Sequence, residues 1–142
     1  MGKHVLSTII SEVKQAKYFA LSIDSTSNAS HIDRLTCILR YVPSGGDGPV
    51  ERFVKFLDIE SHKAKDLASA LLDFLESVNV DVSMCRGQSY DNASNMAGKY
   101  AGVQAIIKER CPEAFFVPCF AHSLNIVGEQ MSSSSPECVL FF

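Results

Sequence analysis

Gly87-Gln88-Ser89-Tyr90-Asp91-Asn92-Ala93-Ser94-Asn95-Met96-Ala97-Gly98 holds one of two aspartates on which the reading of this chain turns. The other, Asp24, ends the strand-like run Tyr18-Phe19-Ala20-Leu21-Ser22-Ile23-Asp24-Ser25-Thr26. If the strands carrying them are neighbours and parallel, Asp24 and Asp91 converge at one edge of a sheet. Converging carboxylates suit a divalent cation, and they are the core of two-metal phosphoryl-transfer sites. Aspartate also follows strands simply as a turn or capping residue, so spacing alone leaves both readings open.

Working outward from these runs, residues 3–16 form an amphipathic helix with Leu6, Ile9, Ile10 and Val13 on one stripe. Phe19, Leu21 and Ile23 alternate with smaller residues in a strand over 18–24. A second strand covers 34–42, and Pro43 to Pro49 makes a turn. A third strand covers 50–59. Short links between three successive strands imply an antiparallel meander. Residues 64–78 carry Leu67, Ala68, Leu71, Phe74, Leu75 and Val78 at helical spacing. The pattern then predicts a strand over 80–85, a helix over 99–110, a strand over 115–117 and a helix from 121 to 130. A right-handed crossover after the meander sets the fourth strand beside the first and parallel to it. The expected fold class is therefore α/β: a ribonuclease H-like mixed sheet, three antiparallel strands then two parallel, with flanking helices, and incomplete. Asp24 and Asp91 share the sheet edge where α/β sites form, with Asp81 at the far end. Asp33 begins the second strand near Asp24 and stays an open candidate. The expected organisation is one domain over 1–130 and a linker-like tail over 131–142, marked by Ser132-Ser133-Ser134-Ser135-Pro136.

The 142 residues are 46% hydrophobic and 20% charged, enough for a core of ordinary soluble composition. A formal charge of −3 is not the field of a free-standing nucleic-acid-binding module. No run approaches the ~18 apolar residues of a membrane span, and no membrane partner is expected. Of the five cysteines, Cys37 and Cys85 lie in apolar runs, as buried free thiols of an intracellular protein would. The sequons at Asn28 and Asn92 then read as chance matches. His4, His31 and His62 are isolated and read as surface residues.

Cys119-Phe120-Ala121-His122 is the other chemical constellation. Cys111 is too oddly spaced to complete a zinc site of four ligands. A nucleophile and base would need an orienting group and an oxyanion hole, neither evident. From the residues alone, this is a thiol and an imidazole packed where a strand enters a helix. Ala93 to Tyr100 lacks the first glycine and the terminal Ser or Thr of a phosphate loop, which excludes one. The glycines 87, 98 and 102 read as allowing a tight loop around Asp91.

Three blocks in order, Phe19–Thr26 with Arg40-Tyr41-Val42, Gly87–Gly98, and Val117-Pro118-Cys119-Phe120-Ala121-His122-Ser123-Leu124-Asn125-Ile126-Val127, resemble the hAT superfamily of DNA transposases. The resemblance is to the branch shared with zinc-finger MYM-type proteins and their DUF4371 region, over about residues 3 to 130. It implies a ribonuclease H-like catalytic domain with an Asp, Asp, Glu triad, using Mg2+ or Mn2+ for DNA transposition in the nucleus. The triad's aspartates map to Asp24 and Asp91, and its Cys-x-x-His motif maps to Cys119 and His122. Ser25 stands where that branch often has a Glu. The third acid lies in the family beyond a helical insertion, and Glu129 and Glu137 come too early to replace it. Catalysis is therefore not expected of this chain alone. DNA is the partner implied for the intact parent, and no small-molecule substrate is expected. The alternative is a domesticated, non-enzymatic interaction or regulatory module. A sheet without its last helix should expose apolar surface around the fifth strand and Leu124, Ile126 and Val127, and self-association would follow.

Overall fold

A computed structural model describes residues 2–27 and 33–134. The Asn28 sequon, His31, Glu137, Cys138 and the rest of the tail from 135 lie outside the described residues. The elements run α1 (Gly2–Ala16), β1 (Phe19–Ser27), β2 (Asp33–Tyr41), β3 (Val50–Asp58), α2 (Ala64–Ser77), β4 (Cys85–Tyr90), α3 (Ser94–Ala97), α4 (Val103–Arg110), β5 (Phe115–Pro118) and α5 (Phe120–Ser133).

The sheet order is β3-β2-β1-β4-β5. β1, β2 and β3 are antiparallel, while β4 and β5 run parallel to β1. This is the mixed, RNase-like sheet that the order of elements predicts. Alternation decides its faces. Phe19, Leu21 and Ile23 of β1, with Leu35, Cys37 and Leu39 of β2, are buried beneath helices α1, α2 and α4. Those helices contribute Ile9, Ile10 and Val13, then Leu67, Leu71 and Leu75, then Val103 and Ile107. Each fully buried Leu adds roughly 1.5–3 kcal/mol of transfer free energy.

The fourth strand departs from expectation. The predicted strand over 80–85 is replaced by a single 3₁₀ turn, Val82–Met84, and β4 begins only at Cys85. Asp81 nucleates the turn: its Oδ1 accepts the Ser83 N–H at 2.9 Å and its Oδ2 the Ser83 hydroxyl at 2.7 Å. Both bonds hold this exposed carboxyl below its ordinary pKa. Gly87, expected in a loop, lies mid-strand. A Cβ there would stand 3.1 Å from the Ala20 Cβ, so glycine is what lets β4 close on β1.

The core also admits one polar side chain, Gln88, 1% exposed. Its Nε2 donates to the Ala114 carbonyl at 2.9 Å and the Gln104 carbonyl at 3.2 Å, and its Oε1 accepts from the Tyr90 hydroxyl at 2.9 Å. With its amide satisfied, Gln88 costs little to bury and ties β4 to α4 and to the entry of β5.

The opposite face is barely covered. Phe53 and Phe56 of β3 are about half exposed, their ring centroids 4.8 Å apart. A bulge opposite Cys37 and Ile38 makes Val54 the extra residue, which turns both rings to the same side. Phe115 and Val117 of β5 are more exposed still. α5 buries none of its residues. Its Phe120, Leu124, Val127 and Met131 form an exposed stripe at four-, three- and four-residue steps. The apolar exposure expected around the fifth strand and Leu124–Val127 is present. No helix of the described residues is long and apolar enough to cross a membrane.

Candidate functional site

The parallel ladder between β1 and β4 pairs Leu21 with Gln88 and Ser22 with Ser89. The pairing ends there, two residues before Asp24 and Asp91, and Asp91 follows the last residue of β4. Paired residues of neighbouring strands share a face, about 4.8 Å apart. Ser22 and Ser89 lie on the face away from the core, and Asp24 follows Ser22 on that side. On the other flank, β4 pairs Tyr90 with Pro118, and the Cys119 N–H donates to the Tyr90 carbonyl at 2.8 Å. Asp91 and Cys119 thus each follow the last residue of their strands, whereas Asp24, expected to end its strand, lies inside β1, which continues to Ser27 along β2.

Asp24 is exposed and Asp91 partly so. Among the described residues, neither makes an ion pair with Lys or Arg. Asp91 Oδ1 accepts the Ala93 N–H at 3.1 Å, which folds the chain into a turn just past the strand. Cys119 caps α5 without a side-chain bond to its first turn, and His122 lies within that turn, partly buried. Asp33 opens β2 opposite Ser27.

Two carboxylates open to solvent are hard oxygen donors. They fit Mg2+ or Mn2+ that retains most of its water shell. Cys119 offers a soft sulfur, which suits neither ion. Among the described residues no group of three or more His, Cys, Asp and Glu side chains converges, so Cys119 and His122 do not extend the aspartate pair into a larger ligand set.

Sequence reasoning missed the polar side chains that fasten this edge. Asn92 Nδ2 donates to Ser123 Oγ at 3.2 Å, and that hydroxyl donates to the Cys119 carbonyl at 3.0 Å. Asn95 Nδ2 donates to the His62 carbonyl at 2.8 Å, reaching the segment between β3 and α2. Gln104 Nε2 donates to the Ala97 carbonyl, and Met96 is fully buried. The asparagines of Asp91-Asn92-Ala93-Ser94-Asn95 were the available signal, since a run of short amides in a turn commonly ties backbone to neighbours.

Comparison with known proteins adds two findings. The family model described as DUF4371: ZMYM1/FAM200, RNase-like domain, matches residues 1–102. Among curated proteins, the 52 kDa repressor of the inhibitor of the protein kinase from Homo sapiens is 26% identical over 116 residues. That match covers 81% of this chain and 15% of the repressor's length.

Proposed function

The chain belongs to the DUF4371 family of RNase-like domains, and from that premise we propose that it is part of a hAT-like transposase catalytic domain. The observation that supports the proposal is the parallel pairing of β1 with β4, whose register runs as far as Ser22 opposite Ser89, two residues before Asp24 and Asp91. In this reading both carboxylates hold Mg2+ or Mn2+, and DNA in the nucleus is the partner of the longer protein. A bound divalent ion would polarise a phosphodiester and neutralise charge developing on it. The chain's own contribution is to carry two hard anionic donors on neighbouring parallel strands or just beyond them, neither ion-paired with Lys or Arg among the described residues. With no third carboxylate joining them among the described residues, DNA cleavage and strand transfer belong to the longer protein rather than to this chain alone.

A second reading is a domesticated, non-enzymatic regulatory module. The observation favouring it is the similarity to a human protein named as a repressor, combined with the two-carboxylate site.

Manganese titration followed by electron paramagnetic resonance tests the metal site. Weak binding is expected, with a dissociation constant on the order of 0.1–1 mM, as for open sites with few charged ligands. Asp24→Asn and Asp91→Asn should each weaken it about tenfold, a change of ~1.4 kcal/mol, with unchanged melting temperature. Duplex and hairpin DNA should remain intact. Manganese affinity indifferent to both substitutions, or metal-dependent nicking that survives them, would refute the assignment.

A further inference from the structure

The Asp91 turn is fastened to the body of the protein on one side and to α5 on the other. The body side is ordinary packing: Met96 is fully buried and Asn95 reaches the His62 carbonyl at 2.8 Å. The α5 side is a closed circuit of polar contacts. Tyr90 accepts from the Cys119 N–H at 2.8 Å, Cys119 accepts from the Ser123 hydroxyl at 3.0 Å, and the Ser123 oxygen accepts from Asn92 at 3.2 Å. Asn92 is bonded covalently to Asp91, which closes the circuit. No residue of α5 is fully buried, and these polar contacts tie its first turn to the ends of β4 and β5.

We propose that Asn92 and Ser123 are a pair of positioning residues that set the Asp91 carboxylate relative to Asp24. Neither touches the bound ion; they act by clamping the turn that carries Asp91 to the first turn of α5. Asp91 Oδ1 already accepts the Ala93 N–H, so slack between residues 92 and 123 reaches the carboxylate through that bond. The clamp also links the site to α5: whatever displaces the helix displaces Asp91. The metal-binding part of this inference rests on the proposed role of Asp24 and Asp91, whereas the clamp itself does not.

Two readouts on the full chain separate the two ideas. Amide hydrogen exchange at Ala93, whose N–H donates to Asp91, reports the turn without any metal. Manganese titration reports the site. Asn92→Ala and Ser123→Ala should each speed Ala93 exchange about three- to tenfold and weaken manganese by a similar factor, as expected for loss of one net hydrogen bond. Melting temperature should stay put, because neither residue is buried. Ser123→Thr keeps the hydroxyl and should restore both readouts. Ala93 exchange unchanged in both alanine variants overturns the clamp, whatever manganese does. Manganese affinity that falls in Asp91→Asn but not in Ser123→Ala overturns the positioning role and leaves the metal site standing. Faster Ala93 exchange in a protein that binds no manganese supports the clamp and removes the metal reading.

Discussion

Gly102→Ala should lower the melting temperature by roughly 10 °C, about 3 kcal/mol, at the upper end of what overpacking costs in a domain of this size. A Cβ at Gly102 would lie 2.6 Å from the Gly98 carbonyl oxygen and 2.8 Å from the Gly98 Cα. Both are backbone atoms, so no rotamer change can make room. The contact is also self-reinforcing, because the Gly102 N–H donates to the Gly98 carbonyl at 3.0 Å, and Gly98 itself donates to Ser94. Parting the two glycines therefore breaks the link from α3 to α4 and loosens the segment behind Asp91. Gly128→Ala provides the control. It lies in α5 with nothing within 4 Å of an added Cβ, and should be neutral or gain up to about 1 kcal/mol from helix propensity. Thermal melts of the two variants decide the matter; a Gly102→Ala protein that melts with the wild type would show that the close approach is dispensable.

Raising the pH above 9 should destabilise the protein steeply. Burial pushes the Cys37 thiol up from 9.0 to about 12 and the Cys85 thiol up to about 11. Burial, then the hydrogen bond to the Glu12 carboxylate and its charge, raise Tyr41 from 10.0 to about 12. Burial also raises Tyr90. These groups lose protons in the unfolded chain first. The contribution of Cys37, Cys85 and Tyr41 is therefore whole below pH 9, and declines as pH rises toward their folded values of 11 to 12. Each buried thiol adds a slope of about 1.4 kcal/mol per pH unit while it is ionised only in the unfolded state, and Tyr41 adds less because solvent screens it. The melting temperature should hold from pH 7 to about 8.5 and then fall. A Cys37→Ala, Cys85→Ala variant should start lower, because of its cavities, but lose stability less steeply with pH. Parallel slopes for the variant and wild type would show that the thiols are not the titrating groups.

The meander and the helices α1 and α2 could be read from the chain because burial there follows simple periods. Phe19, Leu21 and Ile23 alternate, and Leu67, Leu71 and Leu75 recur at each turn. β4 could not be placed by that rule. Cys85-Arg86-Gly87-Gln88-Ser89-Tyr90 is mostly polar or small, and its central buried residue is a glutamine satisfied by carbonyls 16 and 26 residues away. Nothing local announces such partners, so the apolar Val80–Cys85 run drew the expected strand some five residues early. The bulge at Val54 was hidden for a related reason: it depends on how β3 registers against β2. The aspartates stood out because each falls in or just after a strand-like run, although β1 continues three residues beyond Asp24. The Asn92–Ser123 contact spans 31 residues and becomes visible only once β4 and β5 lie side by side.

The bulge in β3 also decides how this sheet ends. An edge strand offers its free N–H and C=O groups as a template for another strand. Here the bulge breaks the regular spacing of that template halfway along β3, and Glu51, Arg52, Lys55 and Asp58 stud it with exposed charge. At the opposite edge β5 has four residues and closes on Pro118, which has no N–H to give. Both borders of the sheet are therefore poor seeds for cross-β growth, even though its open face carries exposed phenylalanines.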